Sequence, residues 1–289
     1  MTVKIALLPN LTREKSVPTT CEIIKYLRKY GIEHKIKAED KHAFSDFADV
    51  TYLPEEQLLE WCDMVISIGG DGSLLNAGKK ALRFSKAVLG VNAGNLAFLA
   101  GLEANELSLL SNLKDGKYKT EKRMTLDMSI YDGDKFLKKD TCINDVVLAR
   151  GTILKMTDID VKVGGKDYFT YRGDGLIVAT PTGSTSYSLS AGGPVLDPII
   201  EGILVTPICT HSLFSRTVIF SRDSHFEIKV NPKSANKDLF LSLDGEETIH
   251  IGENQRIVIE KSDKFLKIIR LKQDEFFDVL HNKLLYRRV

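Results

Sequence analysis

The stretch Met64-Val65-Ile66-Ser67-Ile68-Gly69-Gly70-Asp71-Gly72-Ser73-Leu74-Leu75-Asn76 changes character twice within a few residues. Met64 to Ile68 form a short apolar run rich in branched side chains, which predicts a strand buried on both faces. Three glycines and an aspartate follow, and Leu74, Leu75 and Ala77 then recur at helical spacing. The reading is strand, tight turn, helix. Gly69, Gly70 and Gly72 can take positive φ and carry no side chain to block a ligand. Backbone N–H groups in such a turn, with a helix N-terminus behind them, form a cradle for phosphate oxygens.

Asp71 determines the kind of cradle. The stretch is not Walker A, because no Lys-Ser/Thr follows the last glycine, and it is not the Gly-x-Gly-x-x-Gly of dinucleotide folds. A carboxylate here can accept the proton of an attacking hydroxyl or help hold a magnesium ion between phosphates. It can also simply cap the helix that follows. The tetrad alone leaves these alternatives open.

Upstream, residues 3–8 read as a buried strand ended by Pro9-Asn10. Pro18 opens a helix with Ile23, Ile24 and Leu27 on one face and Gly31 at its stop, and Ile32 to Ile36 form a second strand. Residues 37–52 are polar and mixed, and read as a mobile excursion. Leu53-Pro54-Glu55-Glu56 begins a helix that runs to about Trp61. Downstream, a helix over Leu74–Leu82 and a strand over Ala87–Asn92 complete a β-α-β-α-β alternation. That alternation predicts an α/β domain with a parallel doubly wound sheet. Ligands of such sheets bind beyond the carboxyl ends of the strands, where the glycine turn and Asn92-Ala93-Gly94-Asn95 are expected to converge.

Residues 103–114 read as one more helix, ended by Asp115-Gly116. From Lys119 to about Arg270, runs of β-formers alternate with turn signals such as Asp132-Gly133, Gly164-Gly165 and Asp244-Gly245. This predicts an antiparallel, β-sandwich-like domain. Phe276, Phe277, Leu280, Leu284 and Leu285 predict a C-terminal helix. The expected organisation is an α/β domain over 1–116, joined by the tail 271–289, and an all-β domain over 117–270.

The chain has 289 residues, 43% of them hydrophobic, and a net charge of +1. It is long enough for two domains, and its near-zero charge argues against a nucleic-acid partner. Cys21, Cys62, Cys142 and Cys209 are scattered without a Cys-x-x-Cys pair, so four buried thiols in a reducing compartment are expected, not zinc or a disulfide framework. The first apolar run is too short for a signal peptide and nothing later approaches a membrane span, so a cytoplasmic protein without membrane contact is expected.

A second cluster lies within the β region. Tyr171-Arg172-Gly173-Asp174-Gly175 leads into a strand over Leu176–Ala179 and then into Thr180-Pro181-Thr182-Gly183-Ser184-Thr185-Ser186-Tyr187-Ser188-Leu189-Ser190-Ala191-Gly192-Gly193-Pro194. Hydroxyls and glycines at this density suit a surface where backbone comes close to a polar ligand and hydroxyls bond sugar or phosphate oxygens. The alternative is an elaborate loop capping a short helix at Ser184. Of the six histidines only His211, in Thr210-His211-Ser212-Leu213, falls near a motif, where it touches ligand or fixes a turn.

With both clusters in view, the sequence resembles the bacterial-type NAD kinases. The matching segments are Gly69-Gly70-Asp71-Gly72, Gly90-Val91-Asn92 through Leu99, Asn144-Asp145-Val146-Val147, Arg172 through Pro194, Pro207 through Arg216, Asp244-Gly245 and Phe276-Phe277. The resemblance implies ATP-dependent phosphorylation of the adenosine-ribose 2′-hydroxyl of NAD, giving NADP. It also implies Mg2+ (or another divalent cation) held mainly through ATP, with no protein metal site, and homodimers or homotetramers with sites shared between subunits. By motif position, Asp71 would be the general base, and Gly69, Gly70, Gly72 and Ser73 would hold the ATP phosphates. Asn144 and Asp145 would hold the ribose, Lys155 and Arg172 would lie near the charged portion of NAD, and Asp174 near its nicotinamide end. Thr182, Thr185, Ser186, Tyr187, Ser188, Leu189 and Ser190 would line the NAD site with Phe98 and Gly72. Lys79 and Glu246 match positions that sometimes contact ligand.

Four positions depart from the family pattern. Asp145 stands where glutamate is usual, Ala97 where glycine is common, Thr217 where proline is frequent and Ser73 where threonine or asparagine is common. None removes a chemical group the reaction requires. A lipid kinase shares the glycine tetrad but needs a greasy acceptor cleft or a basic amphipathic helix, neither of which is evident here. A catalytically dead nucleotide sensor is the remaining alternative, and the intact Asp71 argues against it.

Overall fold

The structure, a computed structural model, describes residues 3–47, 50–94, 97–151, 155–211, 215–234, 236–246, 248–272 and 276–281. The chain divides into two compact units, one formed by Met1–Lys122 with Leu266–Val289 and the other by Arg123–Phe265.

In the first unit the most apolar runs become strands. The order along the chain is β1 (Lys4–Pro9), α1 (Ser16–Tyr30), β2 (Glu33–Lys37), β3 (Thr51–Leu53), α2 (Glu55–Trp61), β4 (Met64–Gly69), α3 (Asp71–Arg83) and β5 (Ala87–Asn92). All strand pairs are parallel, in the order β3-β2-β1-β4-β5. All six residues of β4 are buried, as expected of a strand covered on both faces. Ile23, Ile24 and Leu27 of α1 pack into the same core, and Gly31 ends that helix at φ +67. The chain runs from β1 outward through β2 and β3, then returns to the other side of β1 with β4. The sheet's topological switch point therefore lies at the carboxyl ends of β1 and β4, and the glycine turn starts there.

Two expectations for this unit need correction. Residues 37–52 are not a loose excursion: Ala38–Phe44 form a 3-10 helix and Thr51–Leu53 a strand, with Ala48 and Asp49 outside the described residues. Phe44 and Val50 are buried anchors, and the Tyr52 hydroxyl donates to the Phe44 carbonyl at 2.9 Å. Two anchors are too few to show a period in the sequence. Residues 103–114 are also not one α-helix. β6 (Leu102–Glu103) lies parallel to β5, Ala104–Leu110 form a 3-10 helix, and only α4 (Ser111–Lys114) is α-helical. Leu107, Leu110 and Leu113 are buried, and their spacing of three fits 3-10 better than α geometry.

The second unit is antiparallel, apart from short helical turns. β7 (Lys119–Asp132), which begins in the first unit, is followed by β8 (Lys135–Cys142), β9 (Asp145–Arg150), β10 (Thr157–Val163), β11 (Lys166–Gly173) and β12 (Gly175–Ala179). Then come α5 (Tyr187–Ser190), β13 (Gly202–Ile208), β14 (Val218–Ser221), β15 (Phe226–Val230), β16 (Leu239–Leu243), β17 (Ile249–Ile251) and β18 (Gln255–Arg270). One sheet has the order β14-β13-β12-β9-β16-β17; the other has β11-β10-β15-β18, with the β7–β8 hairpin beside β18. β15 and β16 alternate buried and half-buried residues, so each turns one face to a common core that draws on both sheets. β12 and β13 are buried on both faces, and Ala191 of the hydroxyl-rich segment, with Leu196 just beyond it, packs against their far side.

The last residues of β18 belong to the first unit, where Lys267 and Ile268 pair in parallel with β5. Of the C-terminal helix, α6 (Phe276–Leu280) is described, whereas Leu284, Leu285 and the Phe277 side chain lie outside the described residues. The thiols also differ from expectation. Cys62 and Cys142 are buried, Cys21 is half-buried and Cys209 is exposed. Burial pushes the Cys62 thiol up to about 11. No helix among the described residues is long and apolar enough to cross a membrane.

Candidate active site

Asp71 is the first residue of α3, and its side chain does not cap that helix. Its Oδ2 instead accepts the N–H of Phe98 at 2.7 Å, and its Oδ1 accepts the N–H of Leu99 at 2.8 Å. Two short charge-assisted bonds from adjacent amides fix the plane of the carboxylate. An ionised carboxylate has about four acceptor positions, so each oxygen keeps one in reserve. The helix-capping alternative is thereby excluded.

The three glycines of the turn serve different ends. A Cβ on Gly69 would lie 2.6 Å from the Ser73 Cβ, so internal space demands glycine there. At Gly70 and Gly72 a Cβ would meet no atom within 4 Å, and neither residue adopts positive φ. Their bare backbone faces open space that the fold itself does not fill. The neighbouring loops are tied to this turn. The Ala93 N–H donates to the Gly69 carbonyl at 3.0 Å, and Asn10, at the end of β1, donates from Nδ2 to the Ser73 hydroxyl at 2.8 Å. Asn92 accepts the Gly94 N–H and donates to Glu103 at 2.8 Å, whereas Asn95 lies outside the described residues.

A cavity of about 490 Å³ opens beside this turn, lined among others by Asn10, Thr12, Lys37, Asp40, Gly72, Ser73, Asn76 and Lys80. That volume falls within the range of small-molecule sites. Its charged walls are partly paired: Lys80 to Glu55 at 2.6 Å and Lys37 to Asp40 at 3.4 Å. Burial raises the Asp40 carboxyl above its ordinary range, against the attraction of Lys37. Lys79 and Phe98 are half-buried in the same unit.

In the second unit the residues of the hydroxyl-rich segment sort by exposure. Thr182–Thr185 form a 3-10 turn and Tyr187–Ser190 a single helical turn. Thr185, Ser186 and Leu189 are half-buried, and Tyr187 and Ser190 are exposed. Ser188 differs from these: it is fully buried and its hydroxyl is shared with Thr206 at 2.9 Å. Thr182 is buried, and its hydroxyl has no hydrogen-bond partner among the described residues. Gly183 lies so close to Asn144 that a Cβ would sit 2.6 Å from the Asn144 carbonyl carbon, which brings the segment against the Asn144-Asp145 turn. Both residues of that turn are buried, Asn144 at 8% and Asp145 at 2% exposure.

Asp174 pairs with Arg150 at 2.8 Å, and the exposed Arg172 lies 3.8 Å from Asp158. Lys155 is exposed, with its carbonyl accepting from Arg150 and Asn236. Glu246 is exposed, within the β16–β17 connection just after Gly245. The His211 N–H holds the Arg172 carbonyl at 2.8 Å, while Ser212 and Leu213 lie outside the described residues. Sequence reasoning gives no site role to Asn10, Thr180, Arg150 or Asp244, the last of which reads only as a turn signal and a family-matching position. All four act through partners distant in sequence, which no local pattern reports.

Comparison with known proteins matches both units. Residues 13–118 match the ATP-NAD kinase N-terminal domain and residues 143–271 the ATP-NAD kinase C-terminal domain. An NAD kinase of Thermoanaerobacter sp. (strain X514) is 33% identical over 287 residues, covering 98% of this chain and 99% of the relative. An NAD kinase of Clostridium beijerinckii is 40% identical over 233 residues, covering 80% and 81%. In fold, the chain is similar to yeast NADH kinase solved with NADH, at a TM-score of 0.86 and 22% identity, covering 100% of this chain and 89% of that one. With identity at this level running along nearly the whole length, the chain belongs to the ATP-NAD kinase family.

Proposed function

We propose that this protein transfers the γ-phosphoryl group of ATP to the 2′-hydroxyl of the adenosine ribose of NAD, giving NADP and ADP. The observation that carries the reading is the setting of Asp71. Its carboxylate is gripped by two backbone amides at the head of α3, beside glycines whose open faces the fold does not need. The amides of the turn and the N-terminal end of α3 take the negative charge of the donor phosphates. The spare acceptor positions of Asp71 receive the proton as the ribose oxygen bonds to phosphorus and the bond to ADP breaks. Asn144 and Asp145 hold the ribose, Arg172, Lys155 and Asp174 hold the rest of the dinucleotide, and the half-buried hydroxyls of Thr185 and Ser186 with the exposed ones of Tyr187 and Ser190 line its site. The cavity beside Gly72 and Ser73 takes the donor.

Among the described residues, no group of three or more His, Cys, Asp or Glu stands close enough to hold a metal ion. A magnesium ion retains waters and binds through substrate phosphates, so it would be held mainly through ATP and water. When bound it neutralises charge on the transferring group. Self-association belongs to the same reading, and Ile199 (79% exposed), Ile200 and Ile219 supply apolar surface for it. Labelled ATP offered with NAD, NADH or diacylglycerol tests the assignment directly. NADP is the expected product, and phosphorylated lipid, or no transfer at all, refutes it.

A further inference from the structure

We infer that Asp244 is a positioning residue for the acceptor nucleotide, holding the Asn144-Asp145 turn through three consecutive backbone amides. The inference rests on the reading above, in which that turn holds the ribose. β16 and β17 are joined through Asp244 at φ +52 and Gly245 at φ +74, a pair of left-handed residues of the kind that closes tight hairpins. Asparagine, aspartate and glycine all serve at the first of these positions, so the turn alone does not require a carboxylate.

The side chain's partners do require one. Asp244 Oδ1 accepts the N–H of Asn144 at 2.6 Å and of Asp145 at 3.1 Å. Ile143 donates to Oδ2 at 2.9 Å and to Oδ1 at 3.2 Å. The Asp244 N–H returns a bond to the Asp145 carbonyl at 3.0 Å. Three successive amides converging on one anion form a nest, here filled by the protein's own carboxylate.

From the other side the Thr180 hydroxyl donates to the Ile143 carbonyl at 2.7 Å, and the Thr180 N–H donates to the Asn144 carbonyl at 2.8 Å. The backbone of the turn is thus held by its amides and its carbonyls alike, and only the side chains are left to address a ligand. Asn144 is more than nine-tenths buried, and its Oδ1 takes no hydrogen bond from the described residues. A buried acceptor so placed is expensive unless something it binds supplies a donor. A ribose hydroxyl is a donor of that kind.

The test measures NAD affinity by calorimetry on the full-length enzyme, beside steady-state constants and amide hydrogen exchange. Asp244→Ala is expected to weaken NAD binding about tenfold to a hundredfold, since it removes three charge-assisted bonds. KM for ATP should stay within about twofold, a split that general destabilisation would not produce. Asp244→Asn retains one acceptor oxygen and should fall between the two; it also serves if the alanine variant does not fold. The amides of residues 143–145 should exchange faster in both variants. Because Asp244 acts through Asn144, the double variant with Asn144→Ala should bind NAD no worse than Asn144→Ala alone.

Normal NAD affinity in Asp244→Asn and Asp244→Ala, or full additivity in the double variant, overturns the inference while leaving the proposed activity standing. A wild-type protein that neither binds nor phosphorylates NAD overturns both. Asp132→Ala, at the other Asp-Gly turn, is the control and should leave NAD binding unchanged.

Discussion

Each unit contains an aspartate whose carboxylate accepts consecutive backbone amides, and the two differ in what surrounds them. Asp71 holds Phe98 and Leu99 from the first residue of a helix, is only half-buried, and is flanked by Gly70 and Gly72 with empty space where a Cβ would stand. Asp244 holds Ile143, Asn144 and Asp145 from a hairpin turn, and its own backbone is bonded back to the same segment. The first arrangement leaves acceptor capacity on a half-buried side chain between two glycines that have empty space beside them. The second spends its acceptors on shaping a neighbouring turn. A carboxylate on amides is therefore not a catalytic signature by itself; the space around it decides whether it meets a ligand or only places the residues that do.

The comparison breaks most readily at Asp71. Asp71→Asn keeps the size of the side chain but cannot take a proton and turns an NH2 toward one of the two amides that the carboxylate accepts, so turnover should fall about a hundredfold or more, with NAD affinity nearly unchanged. Near-normal kcat in that variant would make Asp71 a second shaping residue like Asp244.

Next in size is a pair of glycine substitutions read together. Gly69→Ala drives a methyl group into Ser73 and should cost about 1–3 kcal/mol of stability, measured by denaturant unfolding. Gly72→Ala meets nothing in the fold, so its unfolding midpoint should stay put while KM for ATP rises about tenfold. If Gly72→Ala leaves KM for ATP untouched, the empty volume beside Asp71 does not hold the donor.

The smallest effects are two opposite pH dependences, one from each unit. Burial opposes ionisation of Asp127, but hydrogen bonds from Lys139, Ser262 and Thr141 outweigh it and hold the carboxyl below its ordinary range. Its contribution is present above the unfolded-state value of about 3.9 and is lost as pH falls through the folded value. Asp40 runs the other way. Burial raises its carboxyl, so the folded state binds the proton more tightly and stability declines as pH rises from that unfolded value through the folded one. Melting temperatures against pH should show a flatter acid limb in Asp127→Asn and a flatter limb above it in Asp40→Asn. Curves that superimpose on the wild type would remove either assignment.

Much of the fold was legible because its signals are local. The apolar run before Gly69, the helical spacing after it and the Asp-Gly and Gly-Gly turns each lie within a few residues, and each sets backbone geometry where it stands. Gly164 and Gly165 show this plainly, both at positive φ in the β10–β11 hairpin. The failures came where a segment takes its order from elsewhere. The 3-10 helix over Ala38–Phe44 is ordered by burial of Phe44 and Asp40, and Cys209 is exposed at a strand end that its own sequence reads as apolar.

The sequence by itself determined the alternation of strands and helices, the division into parallel and antiparallel texture, and which residue types could carry phosphoryl transfer. Only the tertiary structure decided that Asp71 turns away from its own helix toward Phe98 and Leu99, that Ser188 is a core hydroxyl, and that Asp244 reaches back to residues 143–145. Periodicity reports which face of an element is buried. A hydrogen bond across a separation of about a hundred residues, as from Asn144 to Asp244, exists only once the chain has closed on itself.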